Sequence, residues 1–204
     1  MPSRNIVKTD IAESYYHIYA RGSGKKDIFL DDSDFIYFQR LFVRYLSKER
    51  VEGKMGYLYP SHSKDVELLA YCLMRNHFHI LIYQGGVGCM SKFMKSLMTS
   101  YSRYFNLKYK NSGPLFESRY KASRISQNSY LEHISRYIHM NPRYWIRYAY
   151  SSINYYLGEK CPEWINPEKI LALFSGPKEY KLFMKNYEEH KQMLTEIKYE
   201  LADK

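Results

Sequence analysis

The stretch VELLAYCLMRNHFHILIY, residues 66–83, constrains this chain most: two apolar runs are parted only by Met74-Arg75-Asn76. Apolar runs of this length around so short a break form a β-hairpin, with strands predicted over 66–72 and 77–83. Gly85, Gly86 and Gly88 close the second strand. A lone hairpin is marginal in water, so the flanking segments must complete a sheet and a core. Upstream, YYHIYA at 15–20 reads as a strand ended by the turn Arg21-Gly22-Ser23-Gly24. Asp31, Asp32 and Ser33 offer N-caps for DFIYFQRLFVRYLSK, whose apolar spacing predicts a helix to about Lys48. Residues 51–65 mix Gly, Pro, Ser and Lys and read as a loop. Downstream, a helix is predicted over 90–109, broken by KNSGP, then a strand over 119–125 and a helix over 128–140 stopped by Asn141-Pro142. The order β-α-β-β-α-β plus a helix is the split βαβ, ferredoxin-like arrangement. The expected fold is α+β, a four-stranded antiparallel sheet with helices on one face and the other face open. Residues 1–150 are expected to form this domain and 151–204 a C-terminal helical appendage.

Side chains alternate along a strand, so His77, His79, Leu81 and Tyr83 share one face and Phe78, Ile80 and Ile82 the other. The apolar set belongs against helices, which leaves both imidazoles together on the open face. Neighbouring imidazoles do little for a sheet but grip a divalent ion well. A plain surface pair is the alternative for this motif alone. On helix 128–140, Tyr130, His133, Tyr137 and Asn141 fall on one stripe, beside an apolar stripe of Leu131, Ile134 and Ile138. The apolar stripe is expected on the core, and the polar one at the sheet margin, looking across at the histidines. A phenol with an amide one turn later offers a nucleophile and an oxygen ligand from one rigid element. A half-buried Tyr with a C-capping Asn is the alternative. Combined, these groups suit phosphodiester chemistry: a cation polarises the phosphate and a tyrosine ester stores the bond energy for rejoining.

The formal net charge is +10, and residues 91–150 carry +9 of it, with eleven Lys or Arg against Glu117 and Glu132. One basic band on an otherwise neutral chain points to a polyanion, with a solvated basic face as the alternative. Several of the 23 tyrosines lie in this band, as base stacking would use, although an AT-rich coding sequence also raises Tyr. Cys72, Cys89 and Cys161 are odd in number and lack a CxxC pairing, which points to reduced thiols in a cytoplasmic protein and against a zinc ribbon. MPSRNIVKTD holds no apolar signal core, and no apolar run approaches the roughly 18 residues of a membrane span. No membrane partner is expected.

His77-Phe78-His79 inside YCLMRNHFHILI resembles the HUH motif (His, hydrophobic, His) of single-tyrosine transposases, in particular the REP-associated tyrosine transposases. YYHIYARGSGKKDIF, TSYSRYFNLKYKNSGPLFESRYKA, YLEHISRYIHMNP and YSSINYYLG resemble the same group in the same order, over roughly residues 14–158. The resemblance implies a ferredoxin-like catalytic domain acting on single-stranded DNA, often at hairpin-forming repeats, with Mg²⁺ or Mn²⁺. It implies Tyr137 as nucleophile, His77 and His79 as metal ligands and Asn141 as a third. Tyr101 and Tyr104 are rival tyrosines whose spacing with Leu97 and Phe105 reads as packing or base stacking. Arg75 stands where Pro is common before NHxH, and FESRY replaces the commoner FQGRF. Both departures bear on substrate preference. The expected phosphate contacts are Arg75, Arg103, Arg119, Lys121, Arg124 and Arg136, with Arg119 and Lys121 on one face of the fourth strand and Arg124 on the other. Relatives include dimers that exchange the tyrosine helix as well as monomers, so the oligomeric state, monomer or homodimer, stays open. The expected activity is metal-dependent nicking and strand transfer on single-stranded or hairpin DNA. The alternative is a non-catalytic single-stranded nucleic-acid binding module.

Overall fold

The structure, a computed structural model, describes residues 10–125 and 130–186. The start of the helix expected at 128 and the charged tail after 186 lie outside them. The elements are β1 (Ser14–Arg21), α1 (Asp32–Leu46), β2 (Val66–Met74), β3 (His77–Gln84), α2 (Cys89–Tyr109), β4 (Lys121–Ile125) and α3 (Leu131–His139). Three short helices follow: α4 (Ile153–Tyr156), α5 (Glu168–Leu171) and α6 (Pro177–Lys185). The four strands form one antiparallel sheet in the order β2-β3-β1-β4. This is the ferredoxin-like order, with β1 and β3 at the centre.

Local chemistry sets the element ends. Asp31 caps α1 by accepting from the Asp34 amide, and the Asp34 carboxylate accepts from the Asp31 amide in return. Lys108 on α2 bonds both carboxylates, at 2.8 and 2.7 Å, and ties the two helices together. β2 and β3 meet through Arg75-Asn76, with Met74 opposite His77. This turn is clasped by the loop after β1: the Arg75 carbonyl accepts from Ile28 N at 2.7 Å and Phe29 N at 2.9 Å. The clasp needs glycine at 22, where a Cβ would sit 2.1 Å from the Lys26 carbonyl oxygen.

Strand alternation sorts the apolar side chains into two cores. Tyr16, Ile18, Leu73, Phe78, Ile80 and Ile82 pack with α1 and α2 on the first face. On the other face, Cys72 and Leu81 pack with Leu131, Ile134 and Ile138 of α3 and with Ile153, Tyr156, Ile170, Tyr180 and Met184 of the appendage. A bulge at Leu68–Ala70 on β2 lets the consecutive residues Leu69 and Ala70 both face the second core, between Leu68 and Tyr71 in the first. The second face is therefore roofed, where the sequence alone suggested an open sheet. Each fully buried large apolar side chain contributes about 1.5–3 kcal/mol, which makes this roof a structural layer in its own right.

The chain at 148–152, where the domain passes into the appendage, also seals the outer edge of β2. Leu73 N donates to the Tyr150 carbonyl at 2.9 Å, Ser152 N to the Tyr71 carbonyl at 3.0 Å and the Tyr148 hydroxyl to the Leu73 carbonyl at 2.6 Å. Edge groups that would otherwise recruit a foreign strand are thereby satisfied. At the opposite edge, β4 begins at Lys121, so Arg119 precedes the strand and does not share its register. No described helix is long and apolar enough to cross a membrane.

Candidate active site

β1 and β3 lie side by side, with Tyr19 opposite His79 and Arg21 opposite His77. Alternation turns Tyr15, His17, Tyr19 and Arg21 of β1 to the same face as His77 and His79. His79 is 2% exposed and His17 is fully buried. Their rings lie nearly parallel and edge to edge, 5.0 Å between centroids, with His17 Nε2 2.9 Å from His79 Nδ1. The His77 ring stands perpendicular to His79, also at 5.0 Å between centroids. From the roof, the edge of Tyr137 meets His79 at 5.4 Å and His17 at 5.8 Å. Asn141, one turn on, donates from Nδ2 to the Tyr137 carbonyl at 2.9 Å and reaches His77 with its side chain. His77, His79, Tyr137 and Asn141, far apart in the chain, thus converge on one spot.

Hydrogen bonds orient the first imidazole. Asn76 Nδ2 donates to the Lys25 carbonyl at 3.3 Å, which turns its Oδ1 to His77 Nδ1 at 2.7 Å. An amide oxygen only accepts, so this network assigns the proton of His77 to Nδ1 and leaves Nε2 with its lone pair. Asn141, with Nδ2 donating to the Tyr137 carbonyl, also has an amide oxygen that can act as a ligand. An imidazole lone pair and an amide oxygen are both donor atoms that a divalent cation accepts. Burial supports the neutral, ligating form of every ring. It pulls His77 below the ordinary histidine range, the contact with Asn141 opposing and Arg21 assisting. It pulls His79 well below, helped by the neighbouring imidazoles and Arg21, and lowers His17 to about 3.

These observations test the fit of a divalent ion. Among the described residues no cluster of three or more His, Cys, Asp or Glu is arranged to hold one. The donor set is instead two neutral imidazoles and an amide oxygen. Mixed nitrogen and oxygen ligands of this kind suit a divalent ion that keeps positions for water or phosphate. The residues fit.

The other sequence-derived residues scatter. Lys121 lies opposite Tyr19, with Nζ 5.5 Å from the Tyr19 ring, on the histidine face. Arg75 sits in the turn before His77, paired with Asp27 at 2.9 Å on the surface. Arg119 is exposed ahead of β4, and Arg124, opposite Tyr16, has the other parity. Arg103 is exposed on α2, across the sheet from the histidines. Arg136 corrects the expectation outright. It is fully buried, donating to the Phe183 carbonyl at 3.0 Å and to His133 Nδ1 at 2.9 Å, with its guanidinium 4.1 Å from the Phe183 ring. It anchors α6 and has no reach to a phosphate. His133 goes with it, so the polar stripe of α3 splits: Tyr137 and Asn141 turn to the histidines, His133 to the appendage. The rivals Tyr101 and Tyr104 lie in the first core, Tyr101 donating to the Ile28 carbonyl and Tyr104 to Asp34. Sequence reasoning missed His17, Asn76, Tyr19 and Arg21 as site residues. Strand alternation on Tyr-His-Tyr-Arg was the available signal, once β1 was placed beside β3.

Residues 58–141 match the sequence profile of the family described as transposase IS200 like. The matched stretch runs from the loop before β2 to just past the end of α3. It contains His77, His79, Tyr137 and Asn141, while β1, which supplies His17, precedes the matched residues. Among solved structures, a REP-associated tyrosine transposase bound to a REP hairpin is similar at 12% identity and a TM-score of 0.54, over 75% of this chain and 84% of that one. At that identity the likeness concerns the fold, and it agrees with the four-stranded antiparallel sheet in the order β2-β3-β1-β4. A looser superposition, at 10% identity and a TM-score of 0.40, is with the tRNA(His) guanylyltransferase of Saccharomyces cerevisiae, over 88% of this chain and 80% of that one. No curated protein matches the sequence.

Proposed function

We propose that this protein is a metal-dependent single-stranded DNA endonuclease and strand transferase that forms a covalent phosphotyrosine intermediate at hairpin-forming repeat DNA. One observation carries the reading: the half-buried phenol of Tyr137 stands against His79 while Asn141, two residues past the end of the same helix, interacts with His77. The roles follow from position. His77, His79 and Asn141 would hold Mg²⁺ or Mn²⁺, which when bound supplies Lewis-acid polarisation of the phosphate. Tyr137 Oη attacks phosphorus; the new O–P bond forms as one bridging P–O bond breaks. The phenolic proton ends formally on the departing sugar oxygen, leaving a free hydroxyl and a tyrosine ester ready for rejoining. Lys121, Arg21 and Arg75 border the histidine face and would neutralise flanking phosphates. The similar solved transposase is bound to a REP hairpin, which supports hairpin DNA as the substrate class.

The test is a labelled hairpin oligonucleotide incubated with the protein and Mg²⁺ or Mn²⁺, then run on a denaturing gel. A covalent protein–DNA band is expected from the wild type and none from Tyr137→Phe, whose native-gel binding persists. Binding with no covalent band in any metal would leave a binding module. An adduct that survives in Tyr137→Phe, or maps to Tyr101 or Tyr104, refutes the nucleophile.

A further inference from the structure

His17 is a buried histidine to which the chemistry above gives no task. It occupies the centre of β1, opposite Leu81 on one side and Ser123 on the other, where an apolar side chain would extend the second core. Instead it places Nε2 2.9 Å from His79 Nδ1, and its own Nδ1 is buried without a hydrogen-bond partner. A buried polar atom left unsatisfied is costly, so its retention asks for a compensating use.

The hydrogen bond supplies one. Two neutral imidazoles 2.9 Å apart share a single hydrogen, so one ring donates and the other accepts. If His17 donates from Nε2, the proton of His79 sits on Nε2 and that nitrogen cannot ligate. If His79 donates from Nδ1, its Nε2 carries a lone pair, and His17 must carry its own proton on the unpartnered Nδ1. His77 is set the same way by a different group, its Nδ1 held by the Asn76 amide oxygen at 2.7 Å. We infer that His17 is a positioning residue that accepts from His79 Nδ1 and so fixes the ring and tautomer in which His79 binds the divalent ion. The inference rests on the metal-site reading proposed above. Groups that orient a ligating histidine this way typically change metal affinity 10–100-fold when removed.

Mn²⁺ affinity by titration calorimetry, with urea unfolding alongside, tests it in wild type, His77→Ala, His17→Leu and His17→Gln. His17→Leu keeps the bulk and loses the acceptor; His17→Gln keeps an oxygen close to the position of Nε2. The expected result is a loss of about 10–100-fold in His17→Leu, near wild-type affinity in His17→Gln, and an unfolding midpoint in His17→Leu no lower than wild type. Nitrogen-15 spectra of histidine-labelled wild-type protein saturated with Mg²⁺ should report His17 as the Nδ1–H tautomer, a readout independent of any variant. If wild type and His77→Ala bind Mn²⁺ alike, the metal site itself is misplaced and this inference falls with it. If His77→Ala loses the ion while His17→Leu binds as the wild type does, or His17 is found protonated on Nε2, the positioning role alone is overturned.

Discussion

Replacing Arg136 by Ala separates stability from DNA affinity, because the fold spends this guanidinium internally. It makes two charge-assisted hydrogen bonds, at 3.0 Å to the Phe183 carbonyl and 2.9 Å to His133 Nδ1, while stacked 4.1 Å from the Phe183 ring. The variant strips the donor from a buried imidazole nitrogen and a part-buried carbonyl and opens a cavity between α3 and α6. An acceptor stripped of its partner costs about 1–3 kcal/mol, and with the lost packing of the side chain the sum is about 3–5 kcal/mol. With a urea m-value of about 2 kcal/mol per molar, the unfolding midpoint should fall by about 1.5–2.5 M, read by tyrosine and tryptophan fluorescence. Without urea, at a temperature where the variant stays folded, the salt dependence of its hairpin affinity should match the wild type. Reduced salt dependence with an unmoved midpoint would mean that Arg136 reaches phosphate, and the burial assigned to it would be wrong.

Lys121→Ala should flatten the log–log salt dependence of affinity by about 0.7, one phosphate's worth for single-stranded DNA, and Arg124→Ala by less; equal effects would refute a polarised face. Asn141→Ala should weaken Mn²⁺ binding less than His77→Ala in calorimetry, since water replaces an amide oxygen more readily than an imidazole, and equal losses would refute the ranking. Tyr180→Phe removes a buried hydroxyl bonded to Ser135 Oγ at 3.0 Å and His139 Nδ1 at 2.8 Å, and should cost about 1–3 kcal/mol in urea unfolding. A midpoint unchanged from wild type would deny the roof this polar fastening.

Elements written in a clean period were legible in the sequence. The hairpin around Arg75-Asn76, α1 with its Asp31 cap and α2 lie where alternation and 3.6-residue spacing place them, with ends shifted by a residue or two. β4 was legible only roughly, because a five-residue edge strand of mixed character is defined by its pairing with β1 and not by its own pattern. The roof was not legible. Ile153, Tyr156, Ile170, Tyr180 and Met184 come from short helices that lack a common period, and only the assembled second core relates them. Arg136 misled for a similar reason: a cation in a basic band looks like a phosphate contact until a distant carbonyl, that of Phe183, arrives to accept from it. In the candidate site, the motif histidines and the Tyr137–Asn141 pair could be read from spacing and resemblance. His17 required knowing which strand lies beside β3.

The roof over the histidine face also orders events during synthesis. Tyr137 rides on a helix whose other sides are held by Ser152, Tyr180, Phe183 and Met184, all made after it. Sheet strands β1 to β3, with both histidines, leave the ribosome long before those partners do. A partly synthesised chain can thus assemble the imidazole pair while its tyrosine helix still lacks its outer packing, and the two sides of the candidate site come together only once residues 152–184 have emerged.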